Sequence, residues 1–401
     1  YMLYNYDQME RAELERNYSP RERANTSLGL PFFDDFSRYS LPTSDPDIPV
    51  EWQRWVDASV YVNDHFPIDP PTIGVATFDG LKGNGYPYVF NNPDAWGPAD
   101  TLTSCPIDLG GLSADDDVHL SFFFQPEGRG NFPDVNDTFH LDFFRASDGV
   151  WIEMWSVAGS ELLPFEQVII PIWSDSLQVN FFDDEFQFRF RNFSTLSGNM
   201  DHWHLDYVYL DSGIDPDNLE FIELAIMDPE TTMLQDYTSM PWKHFIANPS
   251  SFMKADNEIL MERVLGPDPM NFESGFRVEY ESTVWDNPNS FVNTNGVGII
   301  ETTIESEDFV FDTSVNDTCA VFKVKHYHEI ADETQQNDTT SFEQEFTNFY
   351  AYDDGSAERA YALNEPGSRL AVRYRSEEPD SLIGLFVHFT PFRNNNEEEL
   401  F

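Results

Sequence analysis

Apolar and polar side chains alternate along many short runs of this chain, and this alternation constrains the fold more than any other feature. In FQFRFRN, for example, Phe186, Phe188 and Phe190 alternate with polar residues. Successive side chains of a β-strand point to opposite faces of a sheet, so such runs predict antiparallel strands with one wet face. Similar runs are VHLSFFFQ, TFHLDFF, HLDYVYL, FRVEYES and CAVFKVKHYHEI. No sustained helical period separates them, which predicts an all-β protein built from sandwiches or jelly rolls.

The spacing of these runs divides the chain into four predicted segments. Residues 1–27 are charged and lack an apolar period, which predicts an N-terminal arm outside any core. Residues 28–212 are expected to form a jelly roll. After the linker-like DSGIDPDN, residues 219–345 are expected to form an immunoglobulin-like β-sandwich.

Residues 346–401 form the fourth segment, in which RLAVRYRS and LIGLFVHFTPF are predicted strands. Two or three strands cannot bury a stable core alone. We therefore expect this segment either to pair with an earlier sheet or, as the opening of a further jelly roll, to be continued by chain beyond residue 401. In a third interpretation, a neighbouring protein completes it by strand addition.

The charge of the chain excludes two classes of partner. Its 72 Asp and Glu residues against 22 Lys and Arg residues give a net charge of −50. A surface this acidic repels nucleic acid and anionic lipid. No run approaches the roughly 20 apolar residues of a membrane-spanning helix, so no membrane span is expected. Cys105 and Cys319 are too few for a disulfide scaffold and are interpreted as unrelated thiols.

Residues 30–212 resemble the MAM-like jelly rolls of the cleaved-adhesin and choice-of-anchor J group. The resemblance is carried, in order, by PFFDDFS, EWQRWVD, IGVATFDG and WHLDYVYL, the last of which matches the strand that returns beside the first. A later motif, YAYDDGSAE, is similar to the opening of another such domain. The resemblance implies a secreted or outer-membrane-associated surface protein of the Bacteroidota, a group in which many such proteins take part in cell adhesion and use type IX secretion.

The same resemblance implies a structural Ca²⁺ where the first and last strands meet. Calcium takes six to eight hard oxygen ligands at flexible spacing. The candidate ligands are Asp34, Asp35, Asn199, Asp201 and Asp206. In the alternative interpretation, these are solvated acids of a chain rich in them.

The repeated opening motif carries a second candidate calcium set, formed by Asp353, Asp354 and Glu358. Here too, a hard cation would find carboxylate oxygens close together in the sequence. The segment that holds this set is expected to be an incomplete domain, so the same alternative of solvated acids stays open.

Two histidine pairs, His202 with His204 and His326 with His328, have a spacing that places both rings on one strand face. A transition metal fits this geometry, but neither pair has an obvious third ligand nearby apart from the common acids, so surface or core histidines are expected. The chain contains no G-x-S-x-G, H-E-x-x-H, Walker or C-x-x-C motif. We therefore expect a protein that is not an enzyme.

Two further patterns leave alternatives open. Trp151 and Trp155 are predicted to share one strand face, either in a core or as a platform that stacks on sugar rings or a protein partner. Asp-Ser/Thr-apolar motifs similar to O-glycosylation sites of the Bacteroidota suggest modification of four residues: Thr101, Ser176, Thr339 and Ser381.

Together these observations predict a non-catalytic extracellular or cell-surface β-sandwich protein that acts through binding interfaces. Its partner would be a protein, a polysaccharide or a strand-completing neighbour. Two alternatives remain: the accessory binding region of a secreted hydrolase, and a structural subunit of a surface fibre or secretion apparatus.

Overall fold

The computed structural model describes residues 9, 27–43, 45–57, 59–174, 179–216, 223–228, 231–265, 270–294, 298–305, 309–315, 318–330, 337–353, 367–376 and 378–387. Of the predicted N-terminal arm, it describes only residues 9 and 27. The described residues fall into two compact units, with those up to 216 in unit 1 and those from 223 in unit 2. Both units are built almost entirely of antiparallel strands, which confirms the prediction of an all-β sandwich fold.

Unit 1 contains two main sheets and one two-stranded sheet. Its strands are β1 (Phe32–Asp34), β2 (Tyr61–Asn63), β3 (Val75–Phe78), β4 (Trp96–Thr103), β5 (His119–Pro126), β6 (Thr138–Arg145), β7 (Val150–Ala158), β8 (Glu166–Pro171), β9 (Trp173–Ser174), β10 (Val179–Asn180), β11 (Phe188–Thr195) and β12 (Trp203–Asp211). The first sheet has the order β2-β3-β12-β5-β8, with β1 also on β12. The second has the order β4-β11-β6-β7, and β9 pairs with β10. Short 3-10 helices span Val50–Trp52 and Ala114–Asp116.

The core of unit 1 is aromatic and follows the predicted alternation. Phe186, Phe188 and Phe190 are fully buried, and the ring of Phe122 on β5 lies 4.8 Å from that of Phe190 on β11. Contacts of this kind join the first sheet to the second. Edge-to-face packing of such rings adds to the free energy of apolar burial.

The first and last strands of unit 1 pair antiparallel, as the resemblance implied. Phe32 lies opposite Leu210, and Asp34 lies opposite Val208. The two strands therefore bring the DDF and LDY motifs into the same region of the first sheet, which positions the candidate calcium residues discussed below.

The prediction that Trp151 and Trp155 share one strand face is wrong. The register between β6 and β7 shifts by one residue, so Leu141 lies opposite Trp155 whereas Asp142 lies opposite Glu153. This β-bulge reverses the alternation of side chains on either side of it. Trp155 consequently packs against Phe122 in the core, while Trp151 lies on the outer face beneath Arg189.

Unit 2 is a second β-sandwich. Its strands are β13 (Glu223–Asp228), β14 (Met240–Pro241), β15 (Asp256–Leu265), β16 (Met270–Tyr280), β17 (Thr283–Thr294), β18 (Gly298–Glu305), β19 (Ala320–Glu329) and β20 (Thr339–Thr347). One sheet has the order β13-β15-β18 and the other β14-β20-β19-β16-β17, in which only β14 and β20 are parallel. A helix, α1 (Trp242–Phe245), places Trp242 and Phe245 in the core, and a 3-10 helix spans Pro249–Ser251.

The two strands predicted from RLAVRYRS and LIGLFVHFTPF are not formed in the described parts of those segments. Residues 367–376 and 378–387 belong to unit 2 but contribute to no sheet. A β-strand needs a neighbour to take up its backbone hydrogen bonds. The strand-like pattern is present here without such a neighbour among the described residues.

Candidate functional site

Asp34, the first predicted calcium ligand, is a structural residue of the unit 1 core. Its Oδ2 accepts hydrogen bonds from Nε1 of Trp55 and Oγ of Ser40, both at 2.5 Å, and its Oδ1 accepts one from the backbone N–H of Phe36. Burial raises the pKa of Asp34 to about 7, although these hydrogen bonds act in the opposite direction.

Asp35, directly after β1, and Asp206, on β12, both contact Thr72. The backbone N–H of Thr72 donates a 2.9 Å hydrogen bond to Oδ2 of Asp206, and its hydroxyl lies 2.9 Å from Oδ1 of that carboxylate. The same hydroxyl lies 3.1 Å from the carbonyl oxygen of Asp35. Burial, together with the charge of Asp35, raises the pKa of Asp206 well above its usual range. A cation would relieve this repulsion.

Asn199 and Asp201 have other partners, before the start of β12. Oδ2 of Asp201 accepts a 2.7 Å hydrogen bond from the backbone N–H of Thr195. Nδ1 of His202 accepts from the backbone N–H of Asn131, so the opposite ring nitrogen donates to Oδ1 of Asn199. Within the described ranges, no group of three or more His, Cys, Asp or Glu side chains is arranged to hold a metal ion.

Asp353 is the one member of the second calcium set that is described; Asp354 and Glu358 lie outside the described residues. The hydroxyl of Thr238 donates a hydrogen bond to the Asp353 carbonyl oxygen. This hydrogen bond is to the backbone of Asp353, so it does not test whether the Asp353 carboxylate is a calcium ligand.

The predicted glycosylation acceptors differ in their surroundings. Thr339 and Ser381 are exposed, whereas Thr101 is half-buried in β4, with its backbone N–H bonded to Oγ of Ser59. Ser176 lies outside the described residues. An acceptor must be accessible to a modifying enzyme, so Thr339 and Ser381 fit that role better than Thr101.

His204 is a neutral structural histidine. Its Nε2 lies 3.2 Å from the carbonyl oxygen of Glu127, which can only accept, so Nε2 carries the proton. Its Nδ1 therefore accepts the 2.9 Å hydrogen bond from the hydroxyl of Thr77, which in turn accepts from Nδ2 of Asn63. Burial lowers the pKa of His204 to about 4. With both nitrogens engaged, His204 is not available to a metal.

The outer face of the first sheet is therefore polar yet buried, because residues 63–74 cover it. Gln125, on this face, exchanges hydrogen bonds with both backbone groups of Ile68. Close packing here also requires a glycine: a Cβ at Gly130 would lie 1.5 Å from Nδ1 of His202. The alternation of side chains predicts that this face is exposed to solvent, and no local sequence pattern marks residues 63–74 as the loop that covers it.

The second histidine pair lies in the interior of unit 2. His326 is fully buried, and neither of its ring nitrogens has a hydrogen-bond partner among the described residues. Burial lowers its pKa to about 4. Nε2 of His328 lies 2.8 Å from Oδ1 of Asp338. These two histidines share a strand face as predicted, and the buried polar residues Ser274 and Thr340 lie opposite them on the neighbouring strands.

The other sheet of unit 1 presents a face of paired charges and aromatic rings, which we call the Arg face. Nε atoms of Arg189 and Arg191 both donate to Oδ2 of Asp142, at 2.9 and 2.7 Å. Arg189 lies over the Trp151 ring at 4.4 Å. The Arg face comprises Trp96, His140, Asp142, Trp151, Glu153, Arg189, Arg191 and Phe193.

An aromatic pair extends the Arg face towards the start of β4. The rings of Trp96 and Phe193 lie 5.4 Å apart, and Arg191 lies 5.6 Å over Phe193. Nε1 of Trp96 donates to Oδ1 of Asp137, which fixes the indole, yet half of this side chain remains exposed at 51%. Trp96 is therefore an oriented aromatic ring with an open surface.

Electrostatic contacts hold the Arg face in one arrangement. Burial acts to raise the pKa of Asp142, but hydrogen bonds from Arg191 and Arg189 outweigh it and hold this pKa below its usual range. Arg191 also donates to Glu153, whose carboxylate lies 2.8 Å from Nδ1 of His140. The alternation in FQFRFRN predicted which way both arginines point, but their shared partner lies 47 and 49 residues away in sequence.

A scan against models of known protein families finds no match for this chain. A search of curated proteins likewise finds no relative. Among the described residues, no helix is long and apolar enough to cross a membrane.

Proposed function

We propose that this chain is a non-catalytic, extracellular or cell-surface binding protein of the MAM-like jelly-roll kind. The Arg face of unit 1 would be its binding interface, and a hydroxyl-rich polysaccharide its ligand. The localisation, the adhesive role and the type IX export of a Bacteroidota surface protein belong to the same proposal, and rest on the sequence motifs.

One observation carries the proposal: the Arg face combines one oriented, exposed aromatic ring, that of Trp96, with fixed hydrogen-bonding groups. Trp96 offers an open ring to the apolar side of a sugar. Arg189 is held through its Nε by Asp142, and 28% of its side chain is exposed, so its guanidinium is a fixed donor group on this face. Binding to a preformed face costs little conformational entropy.

Charge favours a neutral polysaccharide over an acidic one. Arg189 and Arg191 are balanced locally by Asp142 and Glu153, so the face carries little net positive charge. The whole chain, at −50, repels polyanions. Neutral sugars are recognised by stacking and by hydrogen bonds to hydroxyls, and both kinds of group are present here.

Affinity electrophoresis tests this proposal, with native gels that contain dextran, mannan or xylan. We expect at least one of these polymers to retard the chain, and Trp96→Ala to abolish the retardation. Phe90→Ala is the matched control, because Phe90 is an equally exposed aromatic residue outside the Arg face. Unchanged migration in all three gels, or retardation that Trp96→Ala leaves intact, would count against a polysaccharide site here.

The accessory region of a secreted hydrolase remains the alternative, and the same face would then deliver a catalytic domain to its polymer. Calcium is also part of the proposal, restricted to Asp35 and Asp206. Both side chains are buried, and the charge of Asp35 acts to raise the pKa of Asp206. Asp35 accepts hydrogen bonds from Ser37, and Asp206 accepts them from Thr72, whereas Asp34 accepts from Trp55 and Ser40. A bound Ca²⁺ would fix the contact between the first and last strands.

A further inference from the structure

The described residues 367–376 and 378–387 of unit 2, which we call the segment, are held in place by contacts near its middle. The hydroxyl of Tyr237 donates a 2.7 Å hydrogen bond to the carbonyl oxygen of Arg375 and accepts a 2.9 Å bond from the backbone N–H of the same residue. Tyr352 donates to the carbonyl oxygen of Arg373 at 2.8 Å. Further along, Oδ2 of Asp380 lies 3.0 Å from Nε2 of His244. These contacts fix where the segment lies on unit 2.

Beyond these anchors, the segment exposes apolar side chains on both of its faces. Ile383 is 92% exposed, Leu385 71% and Phe386 96%. Neighbouring side chains of a strand point in opposite directions, so residues 382–387 would present two apolar faces once they pair as a strand. A continuous apolar run of this length is typical of a strand buried on both sides, and exposed patches of this kind mark interaction sites.

The other arm of the segment is also exposed and is basic. Leu370 and Val372 are 68% and 64% exposed, and Arg369, Arg373 and Arg375 flank them. Three arginines within seven residues stand out in a chain with only 22 basic residues and a charge of −50. The acidic residues of the segment follow directly: Glu377, Glu378 and Asp380.

This order makes the segment complementary to a second copy of itself. When two copies run antiparallel about the midpoint between Ser376 and Glu377, the basic half of each faces the acidic half of the other. In that register, Arg375 lies opposite Glu378, and Leu370 lies opposite Ile383. A parallel arrangement would place like charges together. A two-fold axis gives each copy the same contacts.

We propose that this segment is the dimerisation site of this protein, and that its partner is the same segment of a second copy, paired antiparallel. The basic arm of each copy then lies beside the apolar arm of the other as a neighbouring strand. This pairing supplies partners for backbone groups that Tyr237 and Tyr352 do not already bind, and removes Ile383 and Leu385 from water. The inference is independent of the proposed ligand of the Arg face.

Sedimentation velocity of the full chain tests this at micromolar concentration and about 0.15 M salt, where charges beyond ~8 Å are screened. We expect a dimer that Ile383→Asp converts to a monomer. Val284→Asp is the matched control, since Val284 is an exposed β17 residue remote from the segment in sequence and should leave the dimer unchanged. A monomeric unsubstituted chain, or an Ile383→Asp variant that remains dimeric, would overturn the proposal.

A mixing experiment decides whether Arg375 and Glu378 pair between copies. Arg375→Glu and Glu378→Arg should each weaken the dimer by about tenfold, because each places like charges opposite each other twice. An equimolar mixture of the two variants should recover the dimer, since every contact between unlike copies is again between opposite charges. A third sample is the double variant, which carries Arg375→Glu and Glu378→Arg in one chain. If the double variant dimerises and the mixture does not, Arg375 and Glu378 pair within one chain, and pairing between copies is excluded.

Discussion

The indole Nε1 of Trp55 donates a 2.5 Å hydrogen bond to Oδ2 of Asp34 inside the core of unit 1. Trp55 is completely buried, and its ring contacts Phe32, which is on the same strand as Asp34, edge-to-face at 5.5 Å. A buried carboxyl group is costly unless it is hydrogen-bonded or protonated. The pair therefore holds the segment around Trp55 against the first strand, and makes the stability of unit 1 depend on pH.

Acidification from pH 8 to pH 5 should stabilise unit 1. The pKa of Asp34 in the folded state is about 7, against a reference value of 3.8, so the folded state retains a proton that the unfolded state has lost. Asp34 therefore contributes roughly 4 kcal/mol to the free energy of unfolding below pH ~4, and this contribution is lost as the pH rises to ~7. Burial likewise raises the pKa of Asp57, to about 6, and of Asp206. Urea unfolding at several pH values, with EGTA present, measures the change.

The variant Asp34→Asn separates this residue from the other carboxyl groups. The asparagine side chain cannot ionise. The difference in unfolding free energy between pH 5 and pH 8 should therefore be smaller in this variant, by most of the amount that Asp34 contributes. Asp47→Asn is the control at an exposed position and should preserve the slope. A pH dependence equally steep in Asp34→Asn would show that other groups cause it.

Thr77 supports the buried polar layer beneath residues 63–74. Thr77→Val removes the hydroxyl that donates to His204 and accepts from Asn63. Nδ1 of His204 then has no partner, whereas Nδ2 of Asn63 keeps its hydrogen bond to the carbonyl oxygen of Tyr61. The expected loss of unfolding free energy is about 1–3 kcal/mol. Thr77→Ser keeps the hydroxyl and should lose less than half as much. Chemical denaturation of both variants gives the comparison, and equal losses would mean that the methyl group, not the hydroxyl, matters.

The bulge in β7 predicts opposite outcomes for two tryptophans four positions apart. Trp155 packs against Phe122 and Phe124 at 5.3 and 5.0 Å, so Trp155→Ala should lower the unfolding free energy by about 3–5 kcal/mol. Trp151 contacts Arg189 on the outer face, and Trp151→Ala should cost only about 1 kcal/mol. Similar losses in urea unfolding would place both rings on one face and contradict the observed register.

Residue alternation was sufficient to predict the fold class, and it failed where one residue or one loop changed the environment. The faces of β11 follow directly from the period of FQFRFRN, because burial of Phe188 and Phe190 fixes its register. No local sequence pattern marks the bulge in β7, so the prediction that Trp151 shares a strand face with Trp155 is wrong. His204 and Asp206 lie on a face that the pattern assigns to water, and only the tertiary path of residues 63–74 buries them. For the candidate site, the pattern gave the direction of Arg189 and Arg191 but not Asp142, their distant partner.

Chelation tests the calcium proposal and its ligands. If Ca²⁺ lies between Asp35 and Asp206, EGTA should lower the melting temperature of unit 1 by several degrees, because a ligand at 100 times its dissociation constant adds about 2.7 kcal/mol. Asp35→Asn should abolish the response to EGTA. Asp201→Asn should retain it, since the Asp201 carboxylate is bound to Thr195 instead. An unchanged melt of the unsubstituted chain, with no calcium by elemental analysis, would contradict the calcium proposal and leave the Thr72 hydroxyl as a contact shared by Asp35 and Asp206.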